Sequence, residues 1–179
     1  MLPVVVTAAA VVTLADFVTG VVHWAEDAYA AHAKPGSLFR KVAEANALHH
    51  VKPRAFLANT WFESSWDLLL LAGVIVAGAW GLGHLNWAVY LFAVIIANAN
   101  QLHKWTHRNS RENPRVIVWL QKLRVLQTVR HHACHHTGER NSHYCVVTNW
   151  LNPLLERMQF WRRLERFNAR VFGLHVQAC

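Results

Sequence analysis

Histidine carries the chemistry of this chain. Thirteen of its 179 residues are His, and neutral imidazole is a good ligand for iron, copper and zinc. Their spacing suits metal binding. His103 and His107 stand at i, i+4, which brings two side chains onto one face of a helix. His23 and Asp27 repeat that spacing. His132, His135 and His136 form HxxHH, which sets His132 against the other two at i+3 and i+4, and His131 precedes them. His49 and His50 are adjacent. Helical zinc sites grip a metal through an i, i+4 pair. One such pair is a weak signal; several together are a strong one.

The number of ligands points beyond a single ion. A zinc ion takes four, whereas His23, Asp27, His49, His50, His103, His107, His132, His135 and His136 already exceed that twofold, and His131 adds another. Two iron atoms with roughly five or six positions each absorb that many. Core packing is a poor alternative, because every buried neutral imidazole needs partners for both ring nitrogens. The set lacks the Glu-x-x-His pairs of soluble di-iron bundles, so its His-dominated make-up points to membrane oxygenase or desaturase chemistry. Asp27 serves either as a ligand or as an acceptor behind one. Glu63, Asn100 and Gln101 are candidates to orient the imidazoles from behind. His32, His84 and His175 read as surface or turn residues, and His143 fits either role. Cys134, Cys145 and Cys179 form no CxxC, so neither a disulfide framework nor a Cys-ligated zinc or iron–sulfur site is indicated.

The elements that must hold these residues are apolar. Hydrophobic residues make up 54% of the chain and charged residues 16%, against about 25% charged in a soluble domain. A bilayer core of about 30 Å needs about 20 helical residues. Residues 2–22 supply one span, interrupted only by Asp16, and no basic stretch precedes it, so a retained span is expected rather than a cleaved signal peptide. Asp16 is either functional or hydrogen-bonded to a neighbouring helix. A second apolar block, 68–99, is broken by the turn formers of Gly81–Asn86, which predicts a hairpin of spans 67–83 and 86–102. Apolar residues at helical spacing over 116–129 and 154–172 predict two amphipathic helices.

Charge sets the sidedness. Lys34, Arg40, Lys41, Lys52 and Arg54 fall in one loop, and Lys104, Arg108, Arg111 and further basic residues follow 103, while the 81–86 turn has none. Positive-inside places 23–65 and 103–179 in the cytoplasm. Every clustered His then faces the cytoplasm, and His84 faces away. The net charge of +8 and the nine Trp fit membrane topology and interfacial anchoring. No basic helix or RNA-binding signature accompanies that charge, so nucleic acid is not an expected partner. The fold class expected is all-α: one domain over 1–179, a multi-pass membrane helical bundle of about three spans with cytoplasmic amphipathic helices and a His-rich di-metal site.

Five ordered runs carry a family resemblance: ADFVTGVVHWAED (15–27), HHVKP (49–53), NQLHKWTH (100–107), RHHACHH (130–136) and YCVVTNWLNPLLERMQFWRRLE (144–165). Together they resemble the plasmanylethanolamine desaturase (Kua, CarF-type) family, which includes a plant plastid lipid desaturase. The resemblance implies an integral-membrane di-iron desaturase that uses O2 and acts on a membrane phospholipid. In animal and bacterial members the product is the vinyl ether of a plasmalogen, made from an alkyl-ether lipid; the plant relative desaturates an acyl chain. The family's motifs fall on His23 with Asp27, His49, His50, His103, His107, His132, His135 and His136, and only some members match His131. Arg140 and His143 stand where other members can have His and Tyr, and Asn149 where some have Gly. Animal members carry a further apolar span ahead of the first one here. No Gly-rich dinucleotide loop or Cys-ligated cluster is visible, so electrons are expected from an external donor such as cytochrome b5 or ferredoxin, docked on the basic face. The alternatives are a fatty-acyl desaturase or lipid hydroxylase with the same ligands, and, outside enzymes, a bis-His haem protein or a metal carrier. A carrier should line its spans with ionisable residues, and apart from Asp16, and Asp67 at a span's first residue, these spans are clean.

Overall fold

A continuous run of Val, Ala, Leu and Thr, with proline only at its first turn, makes the N-terminal helix α1, Leu2–Tyr29. Its 28 residues reach about 42 Å at 1.5 Å per residue, so the predicted span 2–22 is the first part of a longer rod that also carries His23 and Asp27. The computed structural model describes residues 1–137 and 141–176, so Arg140 and Cys179 lie outside the described residues.

All regular structure among the described residues is helical. After α1 come α2 (Leu38–Val51), α3 (Trp61–Gly81), α4 (Trp87–Ala97), α5 (Ala99–Thr106), α6 (Arg115–Lys122), α7 (Val129–Ala133), α8 (Leu151–Arg157) and α9 (Phe160–Phe172), with short 3-10 turns at Ala30–His32 and Ala55–Ala58. This is the all-α membrane bundle expected. α1 and α3 are each long and apolar enough to cross a membrane. α3 starts at Trp61, ahead of the predicted 67, because Thr60 and Glu63 form a capping box: Glu63 N donates to Thr60 Oγ1 at 3.2 Å and Thr60 N to Glu63 Oε2 at 2.7 Å.

Three predicted helices are broken. The span expected over 86–102 divides at Asn98, where the backbone leaves helical geometry (φ −105°, ψ 7°). The 11 residues of α4 reach only about 16 Å, too short alone for a bilayer core. The helix expected over 116–129 stops after Lys122 because Arg124 turns left-handed at φ 59°. The one expected over 154–172 is two helices, divided at Gln159 with φ 50°.

α1 packs against α4 and α2, and α3 against α4 and α5. Outward faces are apolar, with Val5, Leu70, Val74, Trp80, Tyr90 and Val94 all exposed, as suits contact with lipid tails. The packed core lies where the end of α1 meets the C-terminal helices, around Trp24, Tyr29, Tyr144, Leu151, Leu155 and Trp161.

One face of α1 fixes that junction. The buried Asp16 carboxylate accepts from Val147 N at 2.8 Å, Thr148 N at 3.0 Å and Thr148 Oγ1 at 2.5 Å. The bond foreseen for Asp16 is therefore made, but to a non-helical segment rather than to a helix. One turn on, Gly20 lets Cys145 close in: a Cβ there would lie 2.6 Å from Cys145 Sγ and 3.2 Å from its backbone. Gly20→Ala should cost about 1–3 kcal/mol of stability through overpacking, read as a lower melting temperature in detergent, and Cys145→Ala should restore part of it. A Gly20→Ala protein melting like wild type would contradict this close approach.

Candidate metal centre

Each ligand candidate sits near the C-terminal end of a helix. His23 and Asp27 lie in the last two turns of α1, His49 and His50 close α2, His103 is in the last turn of α5 with His107 as its C-cap, and His132 ends α7 with His135 and His136 in the turn beyond. Helix C-termini carry partial negative charge and favour cations.

The rings meet in two groups. His49, His103, His107, His132 and His136 form one; His23, Asp27, His50 and His135 form the other; within each, one ligand atom per residue lies within 4.8 Å of all the rest. The spacing explains the sorting. Residues at i, i+4 stay together: His23 with Asp27, His103 with His107, His132 with His136. Adjacent residues on a helix point about 100° apart, so His49 and His50 part company; His135 and His136, in the turn beyond α7, separate as well. HxxHH therefore does not act as one cluster, because α7 ends at Ala133 and His135 turns to the second group. His131, the tenth candidate, joins neither. It lies one position round α7 from His132, with Nε2 3.4 Å from Asn152 Nδ2 and its ring 5.5 Å from His143.

The nitrogens are set for a cation. His103, His107 and His132 place their Nε2 atoms in a triangle with sides of 3.1, 2.9 and 2.8 Å, and His136 Nε2 is 3.0 Å from that of His132. An imidazole nitrogen either donates or accepts, and three atoms in a ring cannot all be paired donor to acceptor. Protons therefore leave at least one side unsatisfied. A metal about 2.1 Å from each nitrogen, with ligands at right angles, spaces them by about 3.0 Å. In the second group, His23 Nδ1 donates to Tyr144 O at 3.1 Å and His135 Nδ1 to Ser142 O at 2.7 Å. Their Nε2 atoms then face Asp27 Oδ2 at 3.7 and 3.4 Å, a contact that is repulsive for neutral rings and that a proton or a metal cation between them resolves. His49 Nδ1 donates to Asn46 O at 2.6 Å. The Nε2 atoms of His23, His49 and His135 are buried with no hydrogen-bond partner. The residues fit two metal ions.

The groups that orient these rings are not those expected. Glu63 is committed to its cap, Asn100 Nδ2 donates to Ser64 O, and the side chain of Gln101 makes no hydrogen bond among the described residues. Backbone carbonyls of Asn46, Ser142 and Tyr144 do the work instead, and Asn46 Nδ2 donates to Asp27 Oδ1 at 2.6 Å. Asn46 was legible in principle, three residues before His49 and four before His50 on one helix; the carbonyls leave no mark in a sequence. Phe56 covers the first group, its ring 5.2–5.3 Å from those of His49, His103 and His107. His32 and His175 meet each other at the surface, His84 is exposed in the hairpin turn, and His143 lies outside both groups.

A cavity of about 290 Å³ opens beside His23, His49 and His103. Val18, Val22, Leu68, Leu71 and Ile96 line one part of it, and Glu26, Lys41, Asn46, Asn59 and Asp67 another.

The lipid desaturase domain family matches residues 12–178. The chain is 31% identical over 170 residues to a plasmanylethanolamine desaturase of Myxococcus xanthus, covering 89% of this chain and 58% of that protein. It is 30% identical to a probable fatty acid desaturase of Acanthamoeba polyphaga mimivirus, covering 92% and 82%. It is also 30% identical to mouse plasmanylethanolamine desaturase 1, covering 85% and 60%. Against the bacterial and mouse relatives, then, the chain spans under two thirds of their length. No solved structure matches it.

Burial, reinforced by neighbouring imidazoles, lowers His49 and His136 to about 2 and His107 to about 4, and holds His132 well below its usual range. Unfolded imidazole protonates near 6.5, so below that pH the unfolded state binds more protons. Stability is full above pH 6.5 and falls steadily as pH drops towards 4 and 2. The melting temperature of metal-free protein should therefore fall between pH 7.5 and 5.5, and a His49→Gln/His136→Gln variant should show a shallower slope. A flat wild-type profile would contradict buried neutral rings. Separately, Asp16→Ala should lower metal content, because it frees the segment whose Tyr144 carbonyl orients His23, and Asp16→Asn should restore part of it.

Proposed function

Because the chain belongs to the lipid desaturase family, we propose that it is a multi-pass membrane di-iron desaturase that forms the vinyl-ether double bond of a plasmalogen from an alkyl-ether phospholipid. The observation that carries the di-iron reading is the sorting of nine side chains into two adjacent groups, with the Nε2 atoms of His23, His49 and His135 buried and unpartnered.

In this reading His49, His103, His107, His132 and His136 hold one iron, and His23, Asp27, His50 and His135 hold the other. Bound there, the irons supply the activation of O2 that removes two hydrogens from adjacent saturated carbons; O2 becomes two waters, with two further electrons and two protons arriving from outside. The protein's own share is placement. The carbonyls of Asn46, Ser142 and Tyr144 fix tautomers so that lone pairs face inward. Phe56 screens the first group from water. The apolar wall of the cavity receives hydrocarbon, and its polar wall receives the lipid's head.

The depth of the cavity supports a bond near the head. His23 lies three residues from Glu26 on α1, about 4.5 Å along the axis, so carbons beside the imidazoles are close to the polar mouth. A mid-chain bond would need the ligands several turns deeper. The 1′,2′ position of an alkyl ether meets this requirement. The viral relative and several from Arabidopsis thaliana are named fatty acid desaturases, which keeps an acyl chain, desaturated close to its head group, as the second reading.

α1, α3 and the broken α4–α5 helix make three passes in this reading, with the histidine face cytoplasmic as the Lys and Arg distribution directs. Arg162, Arg163 and Arg166 on α9 offer an acidic electron donor a basic surface.

Lipid mass spectrometry of acid-labile vinyl ethers, in a host that makes ether lipids, tests the reaction: the product should appear with this chain and be absent without it. His103→Ala and His135→Ala, one from each group, should each cut product at least 100-fold while the protein still inserts, and iron should fall from about two per chain to about one or fewer. Full activity in either variant would overturn the assignment, and a hydroxylated product would replace desaturase with hydroxylase.

A further inference from the structure

The second group of ligands has a frame of its own, and it leads to α8. A carbonyl oxygen only accepts. The contacts of His135 Nδ1 with Ser142 O at 2.7 Å and of His23 Nδ1 with Tyr144 O at 3.1 Å therefore put a proton on Nδ1 of each ring. In the neutral ring Nε2 then keeps the lone pair, and both Nε2 atoms are buried with no hydrogen-bond partner. Which nitrogen each ring offers to a metal thus depends on where two backbone carbonyls point.

Each carbonyl belongs to a peptide unit whose other end is held. The planar peptide ties the C=O of one residue rigidly to the N–H of the next. Behind Ser142 O that N–H is His143 N, which donates to Glu156 Oε1 at 3.1 Å. Behind Tyr144 O it is Cys145 N, which donates to Asn152 Oδ1 at 3.0 Å. Asn152 Nδ2 also donates to Cys145 O at 2.8 Å. Asn152 is fully buried and Glu156 half-buried. They stand at i, i+4 on α8, so one face of one helix meets both units. Two chains of the same design result, each running from side-chain oxygen through a peptide to an imidazole. Hydrogen bonds in series polarise one another, so an acceptor at the N–H end strengthens the bond made at the C=O end. The backbone between the two units is held against its own preference: His143 is left-handed at φ 58°, a conformation that persists in a non-glycine residue when its surroundings impose it.

We propose that Glu156 and Asn152 are positioning residues for the second metal group: through the 142–143 and 144–145 peptides they set the tautomer and aim of His135 and His23 respectively. What is asked of Glu156 is an acceptor oxygen at the right reach, whatever its charge. The proposal rests on reading His23, Asp27, His50 and His135 as the ligands of one metal.

The test uses the full chain in detergent, first free of iron. Nitrogen NMR of isotope-labelled histidine reads which ring nitrogen carries the proton, with His23→Gln and His135→Gln assigning the signals. Wild type should show the proton on Nδ1 of both rings. Glu156→Asp keeps the carboxyl group but draws it back by one methylene; it should leave His135 as a mixture of tautomers and His23 unchanged. Glu156→Gln keeps the reach and an acceptor oxygen, and should match wild type. Asn152→Ser should reverse the pattern and disturb His23 alone. Anaerobic titration with ferrous iron should then show one of two sites weakened at least tenfold in Glu156→Asp and in Asn152→Ser, with the other site unchanged. A residue that merely supported the fold would lower the melting temperature without choosing between two rings. Should one of the two loss variants not fold, the other carries the same comparison. A wild-type proton on Nε2 in place of Nδ1, tautomers unmoved in the loss variants, both rings disturbed together, or a Glu156→Gln protein that behaves like Glu156→Asp would each overturn the proposal. If the tautomers answer to Glu156 and Asn152 as expected but no iron binds, the positioning role stands and the metal reading fails.

Discussion

The structure turns on a triangle that protons cannot satisfy. His103, His107 and His132 bring three nitrogens within 3.1 Å of one another, and each nitrogen has one role, donor or acceptor. Positive charge at the centre removes the conflict. The second group poses the same problem differently, with two imidazole lone pairs turned on a carboxylate. The rest of the fold serves this need. Four helices end here, and each brings the negative end of its dipole. Burial keeps His49, His107 and His136 neutral at physiological pH, so their lone pairs stay available.

Holding so many rings at such separations needs a stiff frame, since a ligand misplaced by an ångström no longer binds. α1 provides it. Asp16, Gly20 and His23 lie along one face and engage residues 144–148 at three points. That segment fixes the ring of His23 through Tyr144 O, and the neighbouring Ser142 O fixes His135. Trp161 packs behind it, stacked on Trp24 and edge-on to Tyr144. Asp16, buried in the apolar part of α1, thus helps place the ring of His23 two turns beyond it, which is why an acid there is tolerated.

The side chains that meet in the two groups were legible in the sequence, and their partition was not. Spacing at i, i+4 correctly joined His23 to Asp27 and His103 to His107, because that relation is internal to one helix. That His49 and His50 part follows from the 100° step between helical neighbours, but which group each ring joins depends on where other helices stand, which no local pattern records. His131 was included because it adjoins three ligands, yet one position of rotation turns it to Asn152. The helices themselves were legible as apolar runs; their breaks were not, since Arg124 and Gln159 adopt left-handed backbone without the glycine or asparagine that announces it. Glu63 is a different case. Thr60-Trp-Phe-Glu63 is a capping-box sequence, and local chemistry read first would have placed it at a helix start instead of behind a ligand.

Where a double bond falls along a chain is a question of register. Hydrophobic contacts grip a hydrocarbon tail without direction, so an apolar tube alone lets it slide by one carbon at little cost. A fixed position needs a directional contact at a known distance from the reacting carbons. On the proposed reading of the cavity, Glu26 is such a group, about one helical turn from His23 on the α1 rod that also carries Asp27. Head and reactive centre are then measured off the same helix, and the short span between them leaves little tail to flex. On that reading the position of the bond follows from this geometry, and a change at the mouth of the cavity should be felt in it.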